Sequence, residues 1–168
     1  MKKVYQRIDS PNNGDCFKCS ICSLLELDYD NVPNFVEYGN EWFIKAYNFL
    51  EKLGYELYSE TLWNPNIHYL ENPTECCFQD KGIAKDYSLD ALKPEHGING
   101  LFLAGVYSPK YTNPNEHPIK HLHSVLCDSN FNIVFDPQKN YENIKTYPYA
   151  KLIGYNGIRT IDAIRKIV

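Results

Sequence analysis

The 168-residue chain lacks an apolar run long enough to cross a bilayer. A spanning helix takes about 18 or more such residues, so none is expected, and no membrane partner with it. Positive charge is scarce too. Seventeen Lys and Arg stand against 21 Asp and Glu, for a formal net charge of -4. That argues against nonspecific nucleic-acid binding, and no nucleic-acid partner is expected. The basic start Met1-Lys2-Lys3-Val4-Tyr5-Gln6-Arg7 has no apolar signal core behind it. Neither end carries a lipidation signal. A cytoplasmic protein is therefore expected, and its six cysteines read as reduced thiols rather than a disulfide framework. There is no repeat and no linker, so residues 1–168 form one domain. What is present suits a folded core: 43% of residues are hydrophobic and 23% charged. Oligomeric state is not legible.

Helical patterns dominate the first third. Phe17, Ile21, Leu24 and Leu25 recur at helical spacing, predicting a helix over 16–26 with one core face. Asn40 is placed to cap a second helix reaching Leu53. Trp42, Phe43, Ala46, Phe49, Leu50 and Leu53 form its stripe, and Gly54 ends it. Strand patterns follow: a weak alternation over 4–8, then 55–59, 100–107, 121–127, 132–135 and 151–155. Asp128-Ser129-Asn130 reads as a tight hairpin turn. In the tail, Ile158, Ile161, Ile164 and Ile167 stand three apart, which favours helix over edge strand. A short helix after Ser88 and an apolar island at Cys76-Cys77-Phe78 break an otherwise illegible middle. Helices first and a largely antiparallel sheet second make an α+β fold.

The chemistry-bearing stretch is Gly14-Asp15-Cys16-Phe17-Lys18-Cys19-Ser20-Ile21-Cys22. A Ser-Pro-Asn-Asn-Gly loop stops at Cys16, where the helix starts. Backbone N–H groups and the positive end of a helix dipole favour a thiolate at such a position. Downstream stand His123-Ser124-Val125-Leu126 and Val134-Phe135-Asp136-Pro137. Cys16 as nucleophile, His123 as base and Asp136 as the carboxylate that orients the imidazole would supply cysteine-based acyl transfer. The Cys16 backbone N–H and one side-chain amide would receive the oxyanion; Gln6 is the candidate, with Asn12 or Asn13 as substitutes. Direct pairing of the two strands is expected to set His123 far from Asp136, which would favour a carboxylate from another strand. His121, on the same strand face, is the replacement base. His68, His96 and His117 lie in loop-like, proline-rich surroundings.

Each residue also has an ordinary structural role. A cysteine near a helix start is often a small buried hydrophobe, a strand histidine is often a hydrogen-bonded core group, and Asp-Pro often makes a turn.

Asn13-Gly14-Asp15-Cys16-Phe17 opening a helix, Val32-Pro33-Asn34-Phe35, His123-Ser124-Val125-Leu126 and Asp136-Pro137 together resemble the papain-like cysteine peptidase superfamily. The textures are closest to the small papain-like proteins of tailed phages and the bacteriocin-leader peptidase domains of export ATPases. The resemblance covers roughly residues 6–54 and 121–137. It implies a papain-like α+β fold and a Cys–His–Asp triad on Cys16, His123 and Asp136. It also implies hydrolysis of a peptide, isopeptide or other amide bond, or acyl transfer, on a peptide or protein substrate, in a host cytoplasm if phage-encoded. No cofactor or metal is implied. The family's oxyanion glutamine usually stands nearer the cysteine than Gln6 does.

Other classes compete. Cys16, Cys19 and Cys22 spell C-x-x-C-x-x-C, but the run lacks the fourth cysteine and proline of a ferredoxin cluster. A zinc site would have to borrow Cys76, Cys77, His121 or His123. Cys16 and Cys19 also resemble a thiol–disulfide exchange pair, though no buried strand precedes them. A catalytically silent papain-like module that binds a host protein is the third alternative. Cys19 and Cys22 trend toward the apolar side of the helix, which makes them packing residues first.

Overall fold

A computed structural model describes residues 1–61, 93–113, 122–141 and 157–167. Helix α1 (Cys16–Leu25) starts and stops within a residue of its apolar pattern. Its burial is wider than a single stripe. Lys18, Cys19, Ser20, Cys22 and Ser23 are buried along with Phe17, Ile21 and Leu24. Small Cys and Ser side chains let neighbours approach this helix on several sides. Residues 4–8, expected as a strand, form none, and the segment from Lys2 onward joins no ladder. Their backbone donors go elsewhere: Lys2 N–H to the Ser23 carbonyl, Val4 N–H to Ser23 Oγ, and Gln6 N–H to the Pro137 carbonyl. The segment lies across α1 instead of joining a ladder, and it covers the side that a simple amphipathic helix would expose.

A 3₁₀ run over Phe35–Glu41 leads into helix α2 (Trp42–Lys52). Asn40 falls inside that run, and Glu41 occupies the cap position with no side-chain cap bond. Ala46 and Leu50 are fully buried. Gly54 ends the helix at φ 85°, in the left-handed region that glycine tolerates.

The strands are β1 (Tyr55–Thr61), β2 (Leu101–Tyr107), β3 (Leu122–Asp128), β4 (Ile133–Phe135) and β5 (Ile158–Lys166). They form a five-stranded sheet in the order β1-β5-β2-β3-β4. Every neighbouring pair is antiparallel. The tail is thus an interior strand, not a helix. A β-bulge where β5 pairs Gly105 with Thr160 and then Val106 with Ile158 puts Ile158 on the face of Ile161, while Ile164 lies on the opposite face. Past the bulge, Ile161 and Ala163 share one face with Phe102, Ala104 and Val125. Ile164 joins Leu57, Leu103, Leu126 and the helices on the other. A strand buried on both faces reads as a continuous apolar run, which masks its period.

The helices pack on the sheet face that carries Leu57, Leu103, Leu126, Phe135 and Ile164. Helix α1 packs on β3 and β2, and α2 packs on β1. Truncating one such core leucine to alanine costs about 2–5 kcal/mol. The α+β arrangement expected from the order of patterns is therefore the one adopted, with two helices on an antiparallel sheet among the described residues. None of the described helices is long and apolar enough to cross a membrane. The predicted strand at 151–155, the Ser88 helix, the Cys76-Cys77-Phe78 island and His68, His117 and His121 lie outside the described residues.

Candidate active site

Cys16 is the first residue of α1 and is half-buried. Gly14 makes this seat possible. A Cβ there would lie 2.7 Å from the Ser10 carbonyl oxygen, so the loop can close on α1 only without one. Asp15 occupies the cap position but does not cap the helix with its side chain. Its fully buried carboxylate instead accepts the backbone N–H groups of Arg7 and Ile8 at 3.1 and 3.2 Å, and the Tyr29 hydroxyl at 2.5 Å. The Tyr29 ring lies between the Arg7 guanidinium and the Lys18 ammonium, 3.8 and 3.6 Å from its centroid. These stacked cations fasten the loop to the helix.

Strand β3 brings the second half. His123 is buried, and its Nε2 lies 2.7 Å from Asp136 Oδ1. The same oxygen accepts the Gln138 backbone N–H at 2.8 Å, which fixes the carboxylate. Cys16 and His123 border the same two depressions, and the Cys16 thiol is near enough to raise the imidazole's pKa. Ser124 donates its backbone N–H to Cys16 Sγ at 3.4 Å, and Tyr141 packs edge-on against the imidazole, 5.5 Å between centroids. Burial pulls the His123 pKa down. The hydrogen bonds and charges of Asp136 and Cys16 outweigh it and raise the imidazolium to about 10.

The three residues singled out for catalysis thus converge. The expected obstacle in the hairpin is absent. Leu126 pairs with Phe135, then the register shifts. His123 and Asp136 flank the turn almost symmetrically, so the hairpin brings them together instead of parting them.

Gln6 lines a small depression of about 30 Å³ with Cys16, His123, Ser108 and Tyr111. Its side-chain amide donates to the Ile8 carbonyl at 3.2 Å, within its own loop. Asn12 and Asn13 are exposed and line no described depression. On another side of Cys16 and His123 lies a pocket of about 230 Å³. Phe17, Val36, Trp42 and Leu122 wall it, and Ser59, Thr160 and Asp162 add polar groups.

Cys19 and Cys22 are fully buried. Burial raises both thiols, Cys22 to about 11 and Cys19 further. No group of His, Cys, Asp and Glu among the described residues is arranged to hold a metal ion. His96 sits in the turn Pro94–His96 and lines none of these depressions.

Sequence reasoning missed Asp15, Tyr29, Gln138, Tyr141 and Asp162. Gln138 acts through its backbone N–H and Tyr141 through ring packing, so neither residue type signalled its role in advance. Comparison of the chain with protein-family models, curated proteins and solved structures finds no match.

Proposed function

We propose that the chain is a papain-like cysteine hydrolase that cleaves an amide bond in a peptide or protein. The observation that carries this reading is the contact chain Cys16–His123–Asp136, with Nε2 2.7 Å from the carboxylate, at the start of a helix and at the edge of an open pocket. The sequence patches shared with the superfamily support the same class.

In this mechanism the Cys16 thiolate attacks the substrate carbonyl carbon, and the carbonyl π electrons move to oxygen. The N–H groups at the start of α1 lack intrahelical acceptors and receive the oxyanion. Collapse expels the amine, which takes its proton from the His123 imidazolium. A thioester on Cys16 remains. His123 then removes a proton from water, hydroxide adds to the thioester, and the acid leaves as the thiolate and imidazolium are restored. Asp136 holds the ring and stabilises its charge throughout. Gln6 is placed to add a donor once its amide leaves Ile8.

The test is alkylation by iodoacetamide at neutral pH, read by peptide mass spectrometry. Cys16 should react about tenfold or more faster than a free thiol. Replacement of His123 by Ala should remove the advantage. A rate at Cys16 no greater than that of a free thiol overturns the reading.

A further inference from the structure

Asp162 is a carboxylate on an interior strand, a position where acidic residues are disfavoured. It stands directly opposite Ser59 of β1 and Leu103 of β2, and only 7% of it is exposed. It shares the helix-side face with Thr160 and Ile164. At Ile164 that face is closed core. At Thr160 and Asp162 it opens, because the residue opposite Thr160 is Gly105. A Cβ on Gly105 would collide with Thr160 Oγ1. The missing side chain leaves the floor of the pocket that Cys16 and His123 border, and Asp162 lies on that floor.

Ser59, directly opposite on β1, favours the charged form of the carboxylate. Among the described residues no Lys, Arg or His forms an ion pair with it. Burial accordingly pushes its carboxyl up to about 6. Asp15, another buried carboxylate, is held instead by three hydrogen-bond donors, from Arg7, Ile8 and Tyr29. A buried carboxylate without a cation is costly to keep, and the fold gains nothing from it that an apolar residue would not supply.

We propose that Asp162 is the specificity-determining residue of this pocket and selects substrates that insert a lysine or arginine side chain beside the scissile bond. The proposal rests on the hydrolase reading. A pocket of about 230 Å³ falls below the size of a typical small-molecule site, roughly 300 Å³ and up, and suits one side chain. The methylene stem lies along Phe17, Trp42 and Leu122, and the cationic head meets Asp162 and Ser59. An apolar side chain would leave the carboxylate facing hydrocarbon, and an acidic one would repel it.

Two measurements test this. In the first, fluorogenic peptide amides carrying lysine or its uncharged isostere norleucine are compared. The wild type should prefer lysine, and Asp162→Asn should cut the lysine-to-norleucine ratio of kcat/KM by about tenfold or more. A wild-type preference for norleucine, or a ratio unmoved by the substitution, overturns the proposal. In the second, n-butylamine is titrated by NMR into Cys16→Ala protein, with n-butanol as the uncharged control. Binding should shift resonances of the pocket residues for the amine, and Asp162→Asn should abolish it. Amine binding indifferent to Asp162 overturns the proposal. Asp162-dependent binding in a wild type that cleaves no amide sinks the hydrolase reading and leaves the pocket's cation selectivity standing. Cys16-dependent turnover that ignores Asp162 does the reverse.

Discussion

Cys16 and Cys22 lie on the same helix, two turns apart, and share a residue type and a repeat spacing. Their surroundings have nothing in common. Cys16 is half-buried, its sulfur accepts the Ser124 N–H, and it borders the same pocket as a histidine that a carboxylate holds. Cys22 is fully buried in the core with Phe17, Ile21, Leu103 and Leu126, and burial raises its thiol to about 11. Cys19, between them, is buried as completely. The regular C-x-x-C-x-x-C spacing therefore marks no common purpose. A helical side chain leans toward the N-terminus, so only the first cysteine reaches past the end of α1 to another element. What faces each sulfur decides its chemistry.

The largest expected effect breaks the comparison at its active end. Replacing Cys16 by Ala should lower amide hydrolysis by about 10³-fold or more. Cys19→Ala should leave turnover within a few-fold. The pair also separates reaction classes, because thiol–disulfide exchange needs a second thiol and hydrolysis does not. Single-turnover assays of both variants decide it. Loss of activity in Cys19→Ala would sink the hydrolase and favour an oxidoreductase.

A smaller effect concerns the histidine that distinguishes the two cysteines. His123 is raised above its ordinary 6.5. A group raised in the folded state adds stability that is fully present below its unfolded pKa and lost as pH rises through the folded one. The folded protein should thus lose stability between about pH 6.5 and 10, and the alkaline limb of kcat/KM should stand well above 6.5. Asp136→Asn removes the charge that holds the imidazolium. It should lower the rate by about 10²–10⁴-fold and move the limb toward acid. A limb that stays put in this variant would mean that Asp136 does not set the state of His123.

How much of this was readable follows the same division. Local signals located α1, α2 and most of the described strands, because apolar period and turn chemistry act over a few residues. Cys16, His123 and Asp136 were found because each has a distinctive neighbourhood in the chain: a loop-to-helix boundary, an apolar strand and an Asp-Pro end. The tail was misread as helical since a bulge disturbed its alternation and both its faces are buried. Residues 4–8 form no strand because their donors are satisfied by Ser23, Asp15 and Pro137, which no local alternation reveals. Asp162 was invisible for a related reason. An isolated acid in an apolar stretch shows nothing until β1 and β2 flank it and Gly105 opens the floor in front of it.

The smallest effect lies at the buried end of the comparison. Cys22→Ala removes one sulfur from a packed cluster and leaves a void about the size of a methyl group. Its stability cost should be on the order of 1 kcal/mol, read as a lower denaturant midpoint with an unchanged slope. Alkylation of Cys16 should proceed at the wild-type rate, since Cys22 faces the core and the seat of Cys16 is built by Gly14, Asp15 and Ser124. The two readouts pull apart only if Cys22 serves the core and Cys16 the site. A variant of unchanged stability with a dead Cys16 would show that Cys22 serves the site rather than the core, through a shared ligand or an exchange step. A modest loss of stability beside an intact Cys16 is what a small buried hydrophobe produces.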